Sequence, residues 1–212
     1  LLGWDEQTGM PPNAAEYRGE QMAYLAGIIH RRRTDPRLGE WISHLADSSF
    51  CEQKHSASGT IVRELKRQFQ RQCKLPETLV VELTRTAVTG QRNWQQARHE
   101  NDFSIFRESL EKIIQLKREE ADAVGFSECR YDALLDEYEP WETTKRIKGI
   151  LDGLREELVP LLKTINNAQA SVSTDCLYRD FPIEAQKIAG TEIAEIIGFD
   201  FKQGRLTGTV HA

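Results

Sequence analysis

The sequence predicts an all-α fold of about seven layered helices, with one short β-strand at the C-terminal end. Three observations carry that prediction. Apolar residues recur at steps of three and four along most of the chain, the spacing of one helix face. Prolines stand at the heads of these stretches, at Pro12, Pro36, Pro76 and Pro182, where a first helical turn tolerates a missing N–H. A β-branched, turn-bounded run occurs only after Gly204.

Pro11-Pro12 opens the first helix, whose apolar side is Met22, Leu25, Ile28 and Ile29. It runs into Arg31-Arg32-Arg33 and stops before Asp35. Asp35 and Pro36 are the cap and first turn of a short second helix through Trp41 to about Leu45. Asp47-Ser48-Ser49 breaks the pattern. A third, polar helix covers roughly Gln53 to Cys73, with Ile61, Val62, Leu65 and Phe69 as its large apolar positions. A long fourth helix runs from about Pro76 to Glu100 through Leu79, Val80, Leu83, Ala87 and Trp94, with a bend expected at Gly90.

Asn101-Asp102 caps the fifth helix. Phe103, Phe106, Leu110, Ile113 and Ile114 form one side of it and Glu108, Glu111, Lys112 and Lys117 the other, so one face is destined for burial. Gly125 ends it. Tyr131 to Leu135 is a helical turn, followed by acidic Asp136-Glu137-Tyr138-Glu139. Thr143 or Thr144 caps the sixth helix. Its stripe of Ile147, Leu151, Leu154, Leu158, Leu161, Leu162 and Ile165 is the strongest periodic pattern in the chain. Pro160 lies inside that stripe and is expected to kink or restart the helix. After a polar loop, Asp180 and Pro182 start the seventh helix, with Ile183, Ile188, Ile193, Ile196 and Ile197, closed by Gly198. Arg205 to Val210 is the strand, an edge or half a hairpin.

A chain of 212 residues is long enough to bury a core unaided, and is read as a single helical region, residues 1–212. No apolar run approaches the roughly 18 residues that span a bilayer, so no membrane association is expected. The 28 Lys and Arg against 33 Asp and Glu leave a net charge of −5, which argues against a nucleic-acid partner. Cys51, Cys73, Cys129 and Cys176 include no C-x-x-C pair and are read as free thiols of a cytoplasmic protein. The chain begins at Leu1 without a signal peptide and ends abruptly at Ala212, on an unpaired strand. It is therefore expected to be a fragment of a longer protein.

Chemistry-bearing motifs are sparse. No two of His30, His44, His55, His99 and His211 are four residues apart, so no helix offers a paired-histidine metal site. His99-Glu100-Asn101-Asp102-Phe103 begins like H-E-x-x-H, but Phe103 replaces the second ligand, and the stretch reads as a polar helix end. No phosphate loop or nucleophile elbow occurs. The acidic group Asp132, Asp136, Glu137 and Glu139 reads as a solvated loop or cap rather than a cation site. Arg31-Arg32-Arg33 with Arg37 is one basic stretch. The other, Arg63, Lys66, Arg67, Arg71 and Lys74, falls at helical spacing and fits an ordinary solvated face.

Several blocks nevertheless resemble one family. Leu1-Leu2-Gly3-Trp4-Asp5-Glu6-Gln7-Thr8-Gly9-Met10-Pro11-Pro12 is similar to the W-D-x-x-T-x-M-P-P segment of the carboxypeptidase Taq family of zinc metallocarboxypeptidases. Trp94, Ala97-Arg98 and Asn101-Asp102-Phe103 resemble a second block, W-x-x-A-R-x-x-x-D-F. Leu116 to Glu120, Tyr131 to Pro140 and Leu158 to Leu162 resemble three more, and Gly198 to Leu206 resembles the segment before the family's H-P-F motif. His211 then aligns with that His, but Ala212 stands where Pro belongs. Glu6-Gln7 is inverted relative to the usual order, and Trp141-Glu142 replaces a common Gly-Met pair.

The resemblance covers nearly the whole chain, in order, and implies the N-terminal part of a mostly helical peptidase. In the family, zinc is held by the two histidines of H-E-x-x-H and a later Glu, and all of these are expected downstream of Ala212. The resemblance thus implies no cofactor and no catalytic or metal-binding residue in this chain, with zinc and peptide substrate belonging to the full-length protein. A homodimer is compatible with it. Trp4, Asp5 and His211 are the positions expected to line the parent's substrate groove. The isolated chain is expected to be inactive. The competing expectation is a truncated, non-catalytic helical protein that binds a partner or serves as a scaffold.

Overall fold

The structure, a computed structural model, describes residues 1–51, 56–168 and 173–208. Among the described residues are nine α-helices and three short 3-10 turns. The chain divides into two units, Leu1–Ile147 and Lys148–Ala212.

The first unit holds α1 (Leu2–Thr8), α2 (Ala15–Arg33), α3 (Pro36–Ala46), α4 (Ala57–Lys74), α5 (Glu77–Glu100), α6 (Ser104–Val124) and α7 (Arg130–Leu135). It also holds the first turn of α8 (Thr144–Asn166). Helices α2, α5 and α6 pack side by side in that order, α3 packs on α4, and α7 packs on α6. Local chemistry sets the boundaries. Asp35 accepts the Arg37 N–H at the head of α3, and Ser56 accepts the Gly59 N–H at the head of α4. Asn101, at φ 53°, closes α5, and Gly125, at φ 84°, closes α6.

Packing departs from the sequence reading in α2. The buried face is not the large apolar side but the small residues Ala15, Gly19, Ala23 and Gly27, four apart, followed by His30. Leu25 and Ile29 are exposed. The small face lets α5 come close: a Cβ on Gly27 would lie 3.2 Å from Val81 Cγ2. Gly90 plays the same part between α5 and α6, where a Cβ would meet Ile113 Cδ1 at 3.0 Å. Helix α5 runs unbroken through Gly90, and close approach of α6 accounts for a residue without a Cβ there. A compact apolar cluster of Leu75, Ala121, Val124 and Ala133 joins α6, α7 and the end of α4.

Two polar hubs bind the helices further. Arg71, 8% exposed, donates to Ala133 O at 2.9 Å and pairs with Glu120 at 3.3 Å and Glu137 at 3.2 Å. It thereby ties α4 to α6 and to the end of α7. Asp132 accepts the Cys129 N–H at 3.2 Å, the Thr144 N–H at 2.8 Å and the Thr144 hydroxyl at 2.6 Å. These bonds, chiefly the ones from Thr144, hold its carboxyl well below the usual carboxylate range. The acidic group is thus capping and ion-pairing chemistry: Asp136 accepts the Trp141 N–H and pairs with Arg67.

The second unit holds the rest of α8 and α9 (Ile183–Ile196). Helix α8 runs unbroken through Pro160 instead of restarting there. The expected strand is not formed where it is described: residues 205–208 are irregular, and 209–210 lie outside the described residues. Without a neighbouring strand, such a segment has no ladder of hydrogen bonds to complete. The Phe199 ring instead packs over Gly204, and Leu206 reaches Gly190 of α9.

Candidate functional site

Glu6 of α1 and Met10 just beyond it face helix α5 across a cleft of about 490 Å³. Glu6 and Met10 form one wall. On the other, α5 presents two polar rows, Gln91-Gln95-His99 and Arg92-Gln96-Glu100, with Val88 at the floor. Steps of four along a helix put such residues above one another on one face. The volume suits a short stretch of peptide or a small molecule. Carboxamide side chains both donate and accept, which matches the alternating N–H and C=O groups of a peptide backbone.

The wall carrying Glu6 is fixed from behind. Arg18 of α2 donates to Asp5 Oδ2 at 2.6 Å and to Leu2 O at 2.8 Å. Asp5 O in turn accepts the Gly9 and Met10 N–H groups at 2.9 and 2.8 Å, so α1 ends in a tight turn. Glu6 has its carboxyl pushed up by burial, against the opposing charge of Arg18.

The three residues singled out from sequence fare differently. Asp5 turns its carboxylate to Arg18 and acts as the anchor of α1. Trp4 is 45% exposed, and its carbonyl accepts the Thr8 hydroxyl at 2.7 Å. Among the described residues the cleft is lined by neither of them but by Glu6, the next residue along. His211 lies outside the described residues. Sequence reasoning missed the α5 rows, although polar residues four apart on a long helix form a pattern that the sequence itself displays. Glu6 carried no comparable pattern.

A second, larger cleft of about 540 Å³ runs between α3 and α4. Arg67 and Arg71 on its wall are taken up by Glu64, Asp136, Glu120 and Glu137. Among the described residues no three His, Cys, Asp or Glu side chains come together as metal ligands. None of the four cysteines is disulfide-bonded. No described helix is long and apolar enough to cross a membrane.

Comparison with known proteins gives consistent relatives. Thermostable carboxypeptidase 1 of Thermus thermophilus is 33% identical over the whole chain, which spans 43% of that protein. Carboxypeptidase 1 of Bacillus subtilis is 31% identical over the whole chain, which spans 42% of it. Among solved structures, the crystal structure of BsuCP matches with TM-score 0.87 and 31% identity over the whole chain and 42% of its own. Pyrococcus furiosus carboxypeptidase matches with TM-score 0.75 and 26% identity over 99% of the chain and 42% of its own. The chain therefore spans less than half the length of these relatives. The family model of carboxypeptidase Taq (M32) metallopeptidases matches residues 1–212, and the chain belongs to that family.

Proposed function

We propose that this chain is the N-terminal part of a zinc-dependent metallocarboxypeptidase and builds one wall of its substrate groove. In the whole protein, a zinc-activated water would cleave the last peptide bond of a substrate, with the metal ligands supplied from outside residues 1–212. The chain's own contribution is to hold the peptide: the α5 carboxamides and Glu6 would engage backbone and side chains of the tail. The carrying observation is the cleft itself. It brings Glu6 and Met10 opposite Gln91, Gln95 and His99 of α5, far apart in sequence, across one peptide-sized space. Alone, the chain would not hydrolyse peptides. Residues 1–212 would form one region of a larger domain in a cytoplasmic protein, a reading supported by the four free thiols. Membrane and nucleic acid are not partners in this reading, which is supported for the latter by the use of Arg67, Arg71 and Lys74 in bonds between helices.

The test is a chimaera in which this chain replaces the matching segment of Bacillus subtilis carboxypeptidase 1. Zinc-dependent release of C-terminal residues is expected. Gln95→Leu should raise KM roughly threefold to tenfold with kcat little changed, the cost of about one hydrogen bond to bound peptide. A chimaera that folds and binds zinc yet releases nothing would refute the proposal.

A further inference from the structure

Along α8, Ile147, Leu151, Leu154, Leu158, Leu161 and Ile165 follow one another at alternating steps of four and three. That spacing has a period of 3.5 residues and is the seam by which one helix packs along another. No charged residue interrupts it; Lys148, Arg155 and Glu157 flank it. The opposite side carries Gly149, Gly153 and Pro160, which weaken an isolated helix. A Cβ at either glycine would meet nothing within 4 Å, so they make no room for a neighbour on that side. The helix has one packing face, and it is uncovered: beyond Ile147, the seam residues range from 43% exposed at Leu158 to 57% at Ile165.

We propose that this seam docks a helix from the portion of the family fold that lies outside residues 1–212, and does so even when that portion is a separate polypeptide. The proposal rests on the functional reading above. Two observations select this occupant. The chain spans 42–43% of its curated relatives from Thermus and Bacillus, so most of the fold's length is chain outside these residues. The unbroken four-three spacing fits a helix rather than a strand or a flat surface. With three residues that favour coil on its back, α8 gains its rigidity from that contact.

The test co-expresses the 212-residue chain with a tagged remainder of Bacillus subtilis carboxypeptidase 1, the part outside the matched segment. Expected is a one-to-one complex in which amide exchange across residues 150–165 slows by about tenfold or more relative to the chain alone. Leu154→Glu combined with Leu158→Glu should cut recovery of the complex by about tenfold or more, while Glu156→Gln, on the back of the helix, leaves it unchanged. Absence of a complex, or a double variant recovered as well as the original, overturns the proposal. So does slow exchange across 150–165 in a monomeric isolated chain, which requires no second polypeptide to observe. An isolated chain that dimerises with these amides protected assigns the face to a second copy and overturns it too. Peptidase activity of the complex is read separately: a seam-dependent complex that cannot release C-terminal residues keeps the docking assignment and refutes the functional reading.

Discussion

Helices α6 and α8 are close to equals as sequences. They run 21 and 23 residues, and each carries a continuous apolar stripe. Yet α6 buries Leu116, Glu120, Ala121 and Val124, whereas α8 buries nothing. The contrast extends to the units that contain them. Residues 1–147 enclose an apolar cluster and two charged hubs, while no described residue of 148–212 is buried. An apolar stripe states that a face needs a neighbour. It does not state whether the neighbour is in the same chain. In α6 the demand is met by α5, α7 and the end of α4; in α8 it is left open.

Substitutions can break this comparison in graded steps. The largest effect is expected from Arg71→Met. It removes the bonds to Ala133 O, Glu120 and Glu137 and leaves Glu120, itself 3% exposed, with only Lys117 opposite. Stripping one member from a buried charged group costs about 4 kcal/mol, which urea unfolding of the chain would register as a lower midpoint. Leu116→Ala should cost about 3 kcal/mol by opening a cavity beneath α6, read in the same way.

Asp132→Asn comes next, at about 2 kcal/mol, because the new NH2 group faces donors where a carboxylate accepted them. This one has a pH signature. The folded-state carboxyl titrates below its unfolded value near 3.9, so its contribution is complete at neutral pH and fades as pH falls below about 4. The variant should therefore show a shallower loss of stability between about pH 4 and pH 2 in acid titrations followed by circular dichroism. The smallest effect sharpens the comparison most. Leu158→Ala, chemically identical to the change at Leu116, should shift the isolated chain by less than about 0.5 kcal/mol. A large shift there would mean that the exposed face is covered in solution.

What the sequence revealed follows the range of the interactions involved. The start of α3 was legible because Asp35 caps a backbone group only two residues on. The α6 stripe was legible only in part: Phe106, Leu110 and Ile113 are half-buried, whereas Phe103 and Ile114 are exposed and the buried apolar positions are Leu116, Ala121 and Val124 farther along the helix. The buried face of α2 was not legible: Ala15, Gly19, Ala23 and Gly27 gain their meaning only from Val81 and Val88 on α5. Helix α1 was likewise invisible, since it is held by Arg18 from another helix rather than by its own pattern. The candidate site was half legible. Its family blocks were recognised, but the cleft is lined by Glu6, Met10 and the polar rows of α5 rather than by the Trp-Asp pair, because Arg18 of α2 turns Asp5 away to anchor α1. Trp141 shows a further limit. It holds φ 66°, a left-handed conformation suited to glycine, beneath the Arg67 guanidinium at 5.9 Å. Trp141 stands where the family commonly has Gly, and in the structure it marks a backbone position under constraint.

The Asp132 hub sets how the chain meets a protease. Its carboxylate fastens the first turn of α8 to the loop before α7, while the length of helix beyond carries no buried side chain. Transient opening is therefore cheapest just past the anchor, and cleavage of the opened helix does not reach the packed helices before it. Brief digestion should trim the chain from its far end and then stall a few residues beyond Thr144, leaving the first unit as a resistant body whose edge is drawn by one carboxylate.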